Sequence, residues 1–267
     1  MSDAPRLLAL DFDGVLCDGR PEYFETARRA YAAVWPGSDM TRAVAVAPQF
    51  ATARPLVESG WEMLLLLHAL VTGVPDADLV DRQAWRATAR RLLDGAPVDT
   101  ERLARALNAA RDAWFAADPK DWLAHHVFYA GVPARVGQAL EDGIGVAIVT
   151  TKAERFARAL LAGADPRLAA VPIIGREPDR TIPKSESLLR LGREHGLPPD
   201  GRGLWFVEDM LETLELVRVA AGLGGARLFL AGWGYNTLEQ RALAGSSDHV
   251  TLLSLRDFAE PFADWPR

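Results

Sequence analysis

The chain reads as an α/β protein, a doubly wound parallel sheet carrying an inserted all-α domain. Three observations predict this. Continuous apolar runs recur along the chain and stop abruptly at polar residues; runs of four or five without polar alternation suit strands buried on both faces. Segments with apolar residues at three- and four-residue spacing lie between those runs, as amphipathic helices require. One long stretch after the first run offers helical patterns and no convincing buried strand.

In chain order, the first strand is Leu7–Leu10, ending at Asp11. Similar runs follow at Val146–Val149, Val171–Ile174, Leu204–Val207 and Leu228–Ala231. The intervening helices are predicted over Pro133–Glu141, Ala153–Leu161, Lys184–His195 and Met210–Ala221. Buried strands alternating with helices imply right-handed βαβ units. The stretch from Asp18 to Ala130 breaks the rhythm, with helices predicted at Tyr23–Val34, Leu56–Val71, Ala77–Leu93 and Thr100–Ala117. The last begins at Asp99 or Thr100 as N-cap. An insert of about 110 residues is too long for a loop and the right size for a small domain. The expected organisation is therefore a core of residues 1–17 and 129–267 and a helical domain of residues 18–128. Trp35, Trp61, Trp85, Trp114 and Trp122 fall inside the insert and are read as core packing of a compact bundle.

Composition narrows the function. At 49% hydrophobic and 25% charged residues the chain has ordinary globular character. A formal charge of -6 gives it no electrostatic reason to seek nucleic acid or an anionic membrane, so an anionic substrate must be held by local groups. The apolar stretch Met63–Leu67 is far short of the ~20 residues that span a bilayer. The opening MSDAPR, with an acid and a proline, is not read as a signal peptide. The single cysteine, Cys17, excludes an internal disulfide framework and cysteine-rich metal sites. The expectation is a cytoplasmic protein, monomer or homodimer, with neither nucleic acid nor membrane as partner.

The chemistry concentrates where the first strand stops. Asp11 and Asp13 lie two residues apart, so in an extended chain both carboxylates project to one side. They do so at the carboxyl end of a strand, where ligands sit in open α/β sheets. Gly14 then permits a turn and close backbone approach. Two acids on an apolar strand end call for a neutralising partner, and a divalent cation is the natural one.

The segment Leu7–Leu16, LLALDFDGVL, resembles the first motif of the haloacid dehalogenase superfamily of phosphatases and phosphomutases. The resemblance implies a Rossmann-like core, with Asp11 as the nucleophile that becomes an aspartyl phosphate and Asp13 as general acid and base. A carboxylate can attack phosphorus and split hydrolysis into two steps, while a second carboxyl protonates the leaving alkoxide and later activates water. The other motifs follow in family order. Gly145–Lys152 is similar to the second, an apolar strand ending in Thr or Ser; the match falls on Thr150, with Thr151 as the alternative one residue on. Lys184, in Thr181–Ser185, resembles the third motif, whose ammonium offsets charge on the nucleophile and the transferring phosphoryl group. Leu204–Asp209 resembles the fourth, an apolar strand ending in acids that hold magnesium.

The acid pair is Glu208-Asp209, similar to β-phosphoglucomutase; many family phosphatases have Gly-Asp with another Asp four residues on, where this chain has Thr213. The resemblance implies Mg²⁺ held by Asp11, Asp209 and the backbone carbonyl of Asp13, with Glu208 as a second or water-mediated ligand. Tyr129–Pro133 is similar to the family segment where the chain returns from the cap, and Ala231–Tyr235 to the loop after the fifth strand. Arg54–Gly60 resembles cap segments of some family members, which makes Arg54, with Gly14 and Thr151, a substrate-binding candidate. The implied activity is Mg²⁺-dependent hydrolysis of a small phosphorylated metabolite. A phosphomutase uses the same groups. A haloalkanoate dehalogenase does not need Asp13, and a silent binding module would tolerate loss of groups that are all present. Arg54–Glu58 also fits a surface ion pair, His125 and His126 lack partners for a metal site, Cys17 suits a small buried residue, and Arg20 and Lys152 could meet an anion.

Overall fold

The computed structural model describes residues 4–176 and 182–267. The chain forms two compact units, Met1–Asp18 with Val127–Arg267, and Gly19–His126.

The second unit is helical: α1 (Arg20–Val34), α2 (Met40–Ala45), α3 (Ala47–Ala53), α4 (Glu62–Thr72), α5 (Arg82–Asp94), α6 (Thr100–Ala117) and α7 (Pro119–Ala124). Its centre is α4, in which Leu64, Leu65, Leu66 and Leu67 are all fully buried. A helix apolar all round must be enclosed by others, and α1, α2, α3, α5 and α6 pack against it. Trp85 and Trp122 are fully buried and Trp114 nearly so, as core packing predicts, while Trp35 and Trp61 are only half-buried. Asp99 caps α6, accepting from the Arg102 amide at 2.7 Å. The helix expected over Leu56–Val71 is interrupted. Its first residue ends a 3-10 turn, Arg54–Leu56, the chain extends at Val57, and α4 starts at Glu62, whose carboxylate accepts the amides of Ser59 at 3.0 Å and Glu58 at 3.5 Å. Those bonds stabilise the open turn against continuous helix.

The first unit holds a six-stranded parallel sheet. Its strands are β1 (Leu7–Leu10), β4 (Gly145–Ala153), β5 (Ile173–Arg176), β6 (Leu204–Glu208), β7 (Arg227–Ala231) and β8 (Val250–Leu253), in the order β5-β4-β1-β6-β7-β8. A two-stranded antiparallel ribbon pairs β2 (Cys17–Asp18) with β3 (Val127–Phe128). Between strands run α8 (Val132–Glu141), α9 (Glu154–Ala164), α10 (Lys184–Glu194), α11 (Leu211–Arg218) and α12 (Leu238–Gly245), and α13 (Leu255–Ala259) follows β8. Side chains alternate across the sheet. Leu7, Ala9, Phe206 and Leu230 join residues of α10, α11 and α12 in one layer. On β6 and β7, Trp205 and Phe229 meet an aromatic cluster of Phe258, Phe262 and Trp265. With both faces covered, every residue of β1 and β6 is buried, which accounts for the apolar runs Leu7–Leu10 and Leu204–Val207.

Register positions the chemistry. Leu10 pairs with Ile148 on one side and Val207 on the other, and the Asp11 amide donates to the Val207 carbonyl at 2.9 Å. The carboxyl ends of β1 and β6 therefore lie together, beside Ile148 of β4, which continues to Ala153. Among the described residues, no helix is long and apolar enough to cross a membrane.

Candidate active site

Asp11, Glu208 and Asp209 converge at those strand ends, each offering a carboxylate oxygen within 4.8 Å of the others, and all three are buried. Lys184, the first residue of α10, places its ammonium between two of them, 2.9 Å from Asp11 Oδ1 and 2.6 Å from Glu208 Oε2. Its motif partner Thr181 lies outside the described residues. Burial pushes the Asp11 carboxyl up to about 7, against the pull of Lys184 and with the repulsion of Glu208 added. Burial likewise raises Glu208 to about 7 despite Lys184. For Lys184 burial acts downward, and the two carboxylates outweigh it and raise the ammonium. One ammonium thus serves two acids, and the Asp209 carboxylate stands beside them. Such a cluster, dehydrated and short of positive charge, is a cation site in its donor chemistry.

Each acid is held differently. Glu208 Oε1 accepts the amides of Asp209 and Met210, both at 3.1 Å, while Oε2 takes Lys184. Both its oxygens accept hydrogen bonds, and through Oε2 Glu208 anchors Lys184. Asp209 Oδ2 accepts the Tyr235 amide at 2.7 Å, and the Asn236 side chain ties the Asp209 carbonyl to that of Ala231 at 3.0 and 2.8 Å. Gly14 and Gly234 make this approach possible. A Cβ on Gly14 would overlap Asp209 Oδ2, and one on Gly234 would overlap Asp209 Cβ. Gly14 also has φ of 86°, which a residue with a side chain rarely adopts.

Asp13 lies one residue from that turn, its Oδ2 3.2 Å from the Lys152 ammonium. On β4, Thr150 and Lys152 are buried and Thr151 is exposed, as strand alternation dictates. The Thr150 hydroxyl accepts the Lys152 amide at 3.2 Å. Thr151, expected as an alternative to Thr150, projects on the opposite side of the strand from Thr150 and Lys152. Arg54 is buried in the helical unit, donating to the Val57 carbonyl at 2.9 Å with its guanidinium 5.2 Å from the Tyr23 ring centroid. Glu58 forms ion pairs with Arg82 and Arg86. His125 and His126 bond the carbonyls of Asp121 and Trp122, one helical turn earlier. Cys17 is buried, and burial pushes its thiol well up, away from nucleophile chemistry. Tyr235 and Asn236 were not singled out by sequence reasoning; the only signal was the Gly232-Trp233-Gly234-Tyr235 loop in which close backbone approach is written as glycine.

A family model for haloacid dehalogenase-like hydrolases matches residues 5–212. The chain belongs to the haloacid dehalogenase-like hydrolases. No curated protein matches this hydrolase. Among solved structures it is similar to a predicted phosphatase from Clostridium acetobutylicum, with a TM-score of 0.59 and 11% identity over 93% of this chain and 94% of that one. A predicted phosphoglycolate phosphatase from Haemophilus somnus matches with a TM-score of 0.59 and 15% identity, covering 99% and 97%. A candidate β-phosphoglucomutase from Thermotoga maritima matches with a TM-score of 0.53 and 18% identity, covering 95% and 96%. At these identities the likeness is one of fold, and it fits the α/β core of this hydrolase.

Proposed function

We propose that this hydrolase is a Mg²⁺-dependent phosphatase of a small phosphorylated metabolite, working through an aspartyl phosphate on Asp11. The observation that carries the reading is the buried cluster of Asp11, Glu208 and Asp209, with Lys184 bridging Asp11 and Glu208 and Asp13 two residues on from Asp11. The excess of carboxylate over ammonium, and the glycine cradle that seats Asp209, fit a hard divalent cation. Asp11, Asp209 and the Asp13 backbone carbonyl would hold Mg²⁺, with Glu208 outside its inner shell. When bound, the metal supplies charge neutralisation at the phosphoryl group.

In the first step a carboxylate oxygen of Asp11 forms a bond to phosphorus, the ester P–O bond breaks, and Asp13 gives its proton to the leaving oxygen. In the second, water attacks phosphorus and loses its proton to Asp13, and the acyl-phosphate P–O bond breaks, releasing phosphate and restoring Asp11. Lys184 holds Asp11 in place and offsets negative charge as it moves from carboxylate to phosphoryl oxygens. The Thr150 hydroxyl donates to a phosphoryl oxygen, and Gly14 lets the backbone approach it. Residues 18–128, Arg54 among them, act in this reading as the cap that selects the ester. The enzyme is proposed to be cytoplasmic, a monomer or homodimer, without nucleic acid or membrane partners.

A phosphomutase differs only in which oxygen accepts the phosphoryl group, and the Glu208-Asp209 pair favours it as the second reading. The test is a panel of phosphate esters with Mg²⁺, scored for released phosphate and for isomerised product. Asp11→Asn should abolish turnover in either case, since an amide is a poor nucleophile. Near wild-type turnover by that variant, or no turnover of any ester by the wild type, would overturn the assignment.

A further inference from the structure

Lys152 is a buried ammonium that the mechanism above leaves without a task. Its side chain is 5% exposed and its Nζ lies 3.2 Å from Asp13 Oδ2. That Nζ also lies 5.9 Å from the ring centroid of Phe12, the residue between the two aspartates. The backbone is adapted to this placement. The pairing of β4 with β5 shifts register between Val149 and Ala153, and opposite the irregularity stands Gly175, where a Cβ would come 2.8 Å from the Lys152 carbonyl oxygen.

The other oxygen of Asp13 decides the reading. Oδ1 is shut in, with no hydrogen-bond partner among the described residues. Oδ2 is therefore the oxygen through which Asp13 meets a reacting group, and it is the oxygen Lys152 grips. Resting on the phosphatase reading, we propose that Lys152 is a positioning residue: it fixes Asp13 so that Oδ2 delivers its proton to the ester oxygen as the P–O bond breaks. A misplacement of about 1 Å at a proton-transfer site can cost on the order of 100-fold in rate.

The test compares two leaving groups through kcat/KM, which reports the steps up to departure of the alcohol. An alkyl oxygen needs the proton from Asp13; 4-nitrophenolate leaves without it. Lys152→Met should lower kcat/KM about 10- to 100-fold on the alkyl phosphate that the wild type turns over fastest, through kcat. On 4-nitrophenyl phosphate the loss should stay under about threefold. Lys152→Arg should restore most of the alkyl activity, and in an Asp13→Asn background Lys152→Met should change 4-nitrophenyl phosphate hydrolysis less than about twofold, because the lysine acts through that carboxylate. Circular dichroism and melting of each variant establish folding. Lys152→Gln, which keeps a polar end, should show the same split and carries the test if the methionine variant melts early. Equal losses on both esters, or a loss confined to KM, would mean that Lys152 binds the phosphoryl group and would overturn the proposal, as would unchanged kinetics. A wild type active on esters with no leaving-group split removes only the role of Lys152; a wild type inactive on all of them removes the phosphatase reading and this inference together.

Discussion

Gly14→Ala perturbs the site at its tightest point, and its effect can be worked from distances. The left-handed backbone at φ of 86° costs a residue with a Cβ about 1–2 kcal/mol. The new methyl would overlap Asp209 Oδ2, stand 2.6 Å from Asp209 Cγ and lie 3.0 Å from Tyr235 Cδ2. The carboxylate must swing away and give up the 2.7 Å bond from the Tyr235 amide; a hydrogen bond to a charged group contributes about 1.5–3 kcal/mol. The expected destabilisation of the core unit lies between about 1 kcal/mol, if Asp209 finds another donor, and about 5 kcal/mol if it does not. Urea unfolding measures it. Calorimetric titration with Mg²⁺ should show binding weakened about 10- to 100-fold, as when a partner that orients a metal ligand is lost. A variant that unfolds at the wild-type midpoint and binds Mg²⁺ within twofold of wild type would refute the account of how Asp209 is held.

The division of labour between the paired acids predicts that Asp209→Ala raises the Mg²⁺ concentration needed for half-maximal activity more than Glu208→Ala does; the reverse order would make Glu208 the inner ligand. Trp265 is buried against Trp205, Phe229, Phe258 and Phe262, so Trp265→Ala should destabilise the core unit by about 3–5 kcal/mol, and a loss below about 1 kcal/mol in urea unfolding would show that the cluster is not a packing unit. His68 stacks on Trp35 with centroids 4.1 Å apart, and burial lowers its pKa. The unfolded chain therefore binds more protons than the folded one as pH falls through the ordinary histidine range near 6.5, and stability present above that range is lost below it. The melting-temperature advantage of wild type over His68→Gln should shrink from pH 8 to pH 5; an advantage independent of pH would contradict the sign.

The parallel sheet was legible because strands buried on both faces carry nearly unbroken apolar runs; β1 and β7 stop where those runs stop, and β6 one residue later, at Glu208. The short helices α2, α3 and α7 were not, since pieces of six or seven residues owe their existence to neighbours more than to their own sequence. The edge strand β8 also escaped notice, its middle residues Thr251 and Leu252 being only half-buried. Apolar runs ending in acids placed Asp11, Glu208 and Asp209 at strand ends, and the family resemblance added Lys184 at a helix start. Neither could say that both Glu208 oxygens are spent on Lys184 and two amides, because that depends on rotamers and on which loop folds back. Tyr235 escaped for a related reason: it holds Asp209 through its backbone amide, a group every residue but proline carries.

The ribbon of β2 and β3, in which Cys17 pairs with Phe128 and Asp18 with Val127, bears on the order in which the chain folds. During synthesis β1 emerges first, yet its partners arrive far later, since Leu7 must wait for Gly145 and then for Leu204. Non-local pairings of this kind fold slowly, as the entropy of closing the loop is lost before contacts compensate. Once Asp18 has met Val127, the chain between them no longer counts toward that closure, and β4 lies a short step from β1. The residues enclosed by the ribbon can then lengthen, shorten or be exchanged with little effect on assembly of the sheet, because closure entropy grows only with the logarithm of the enclosed length. If the enclosed residues select the ester, as proposed above, substrate preference and core folding are free to change separately.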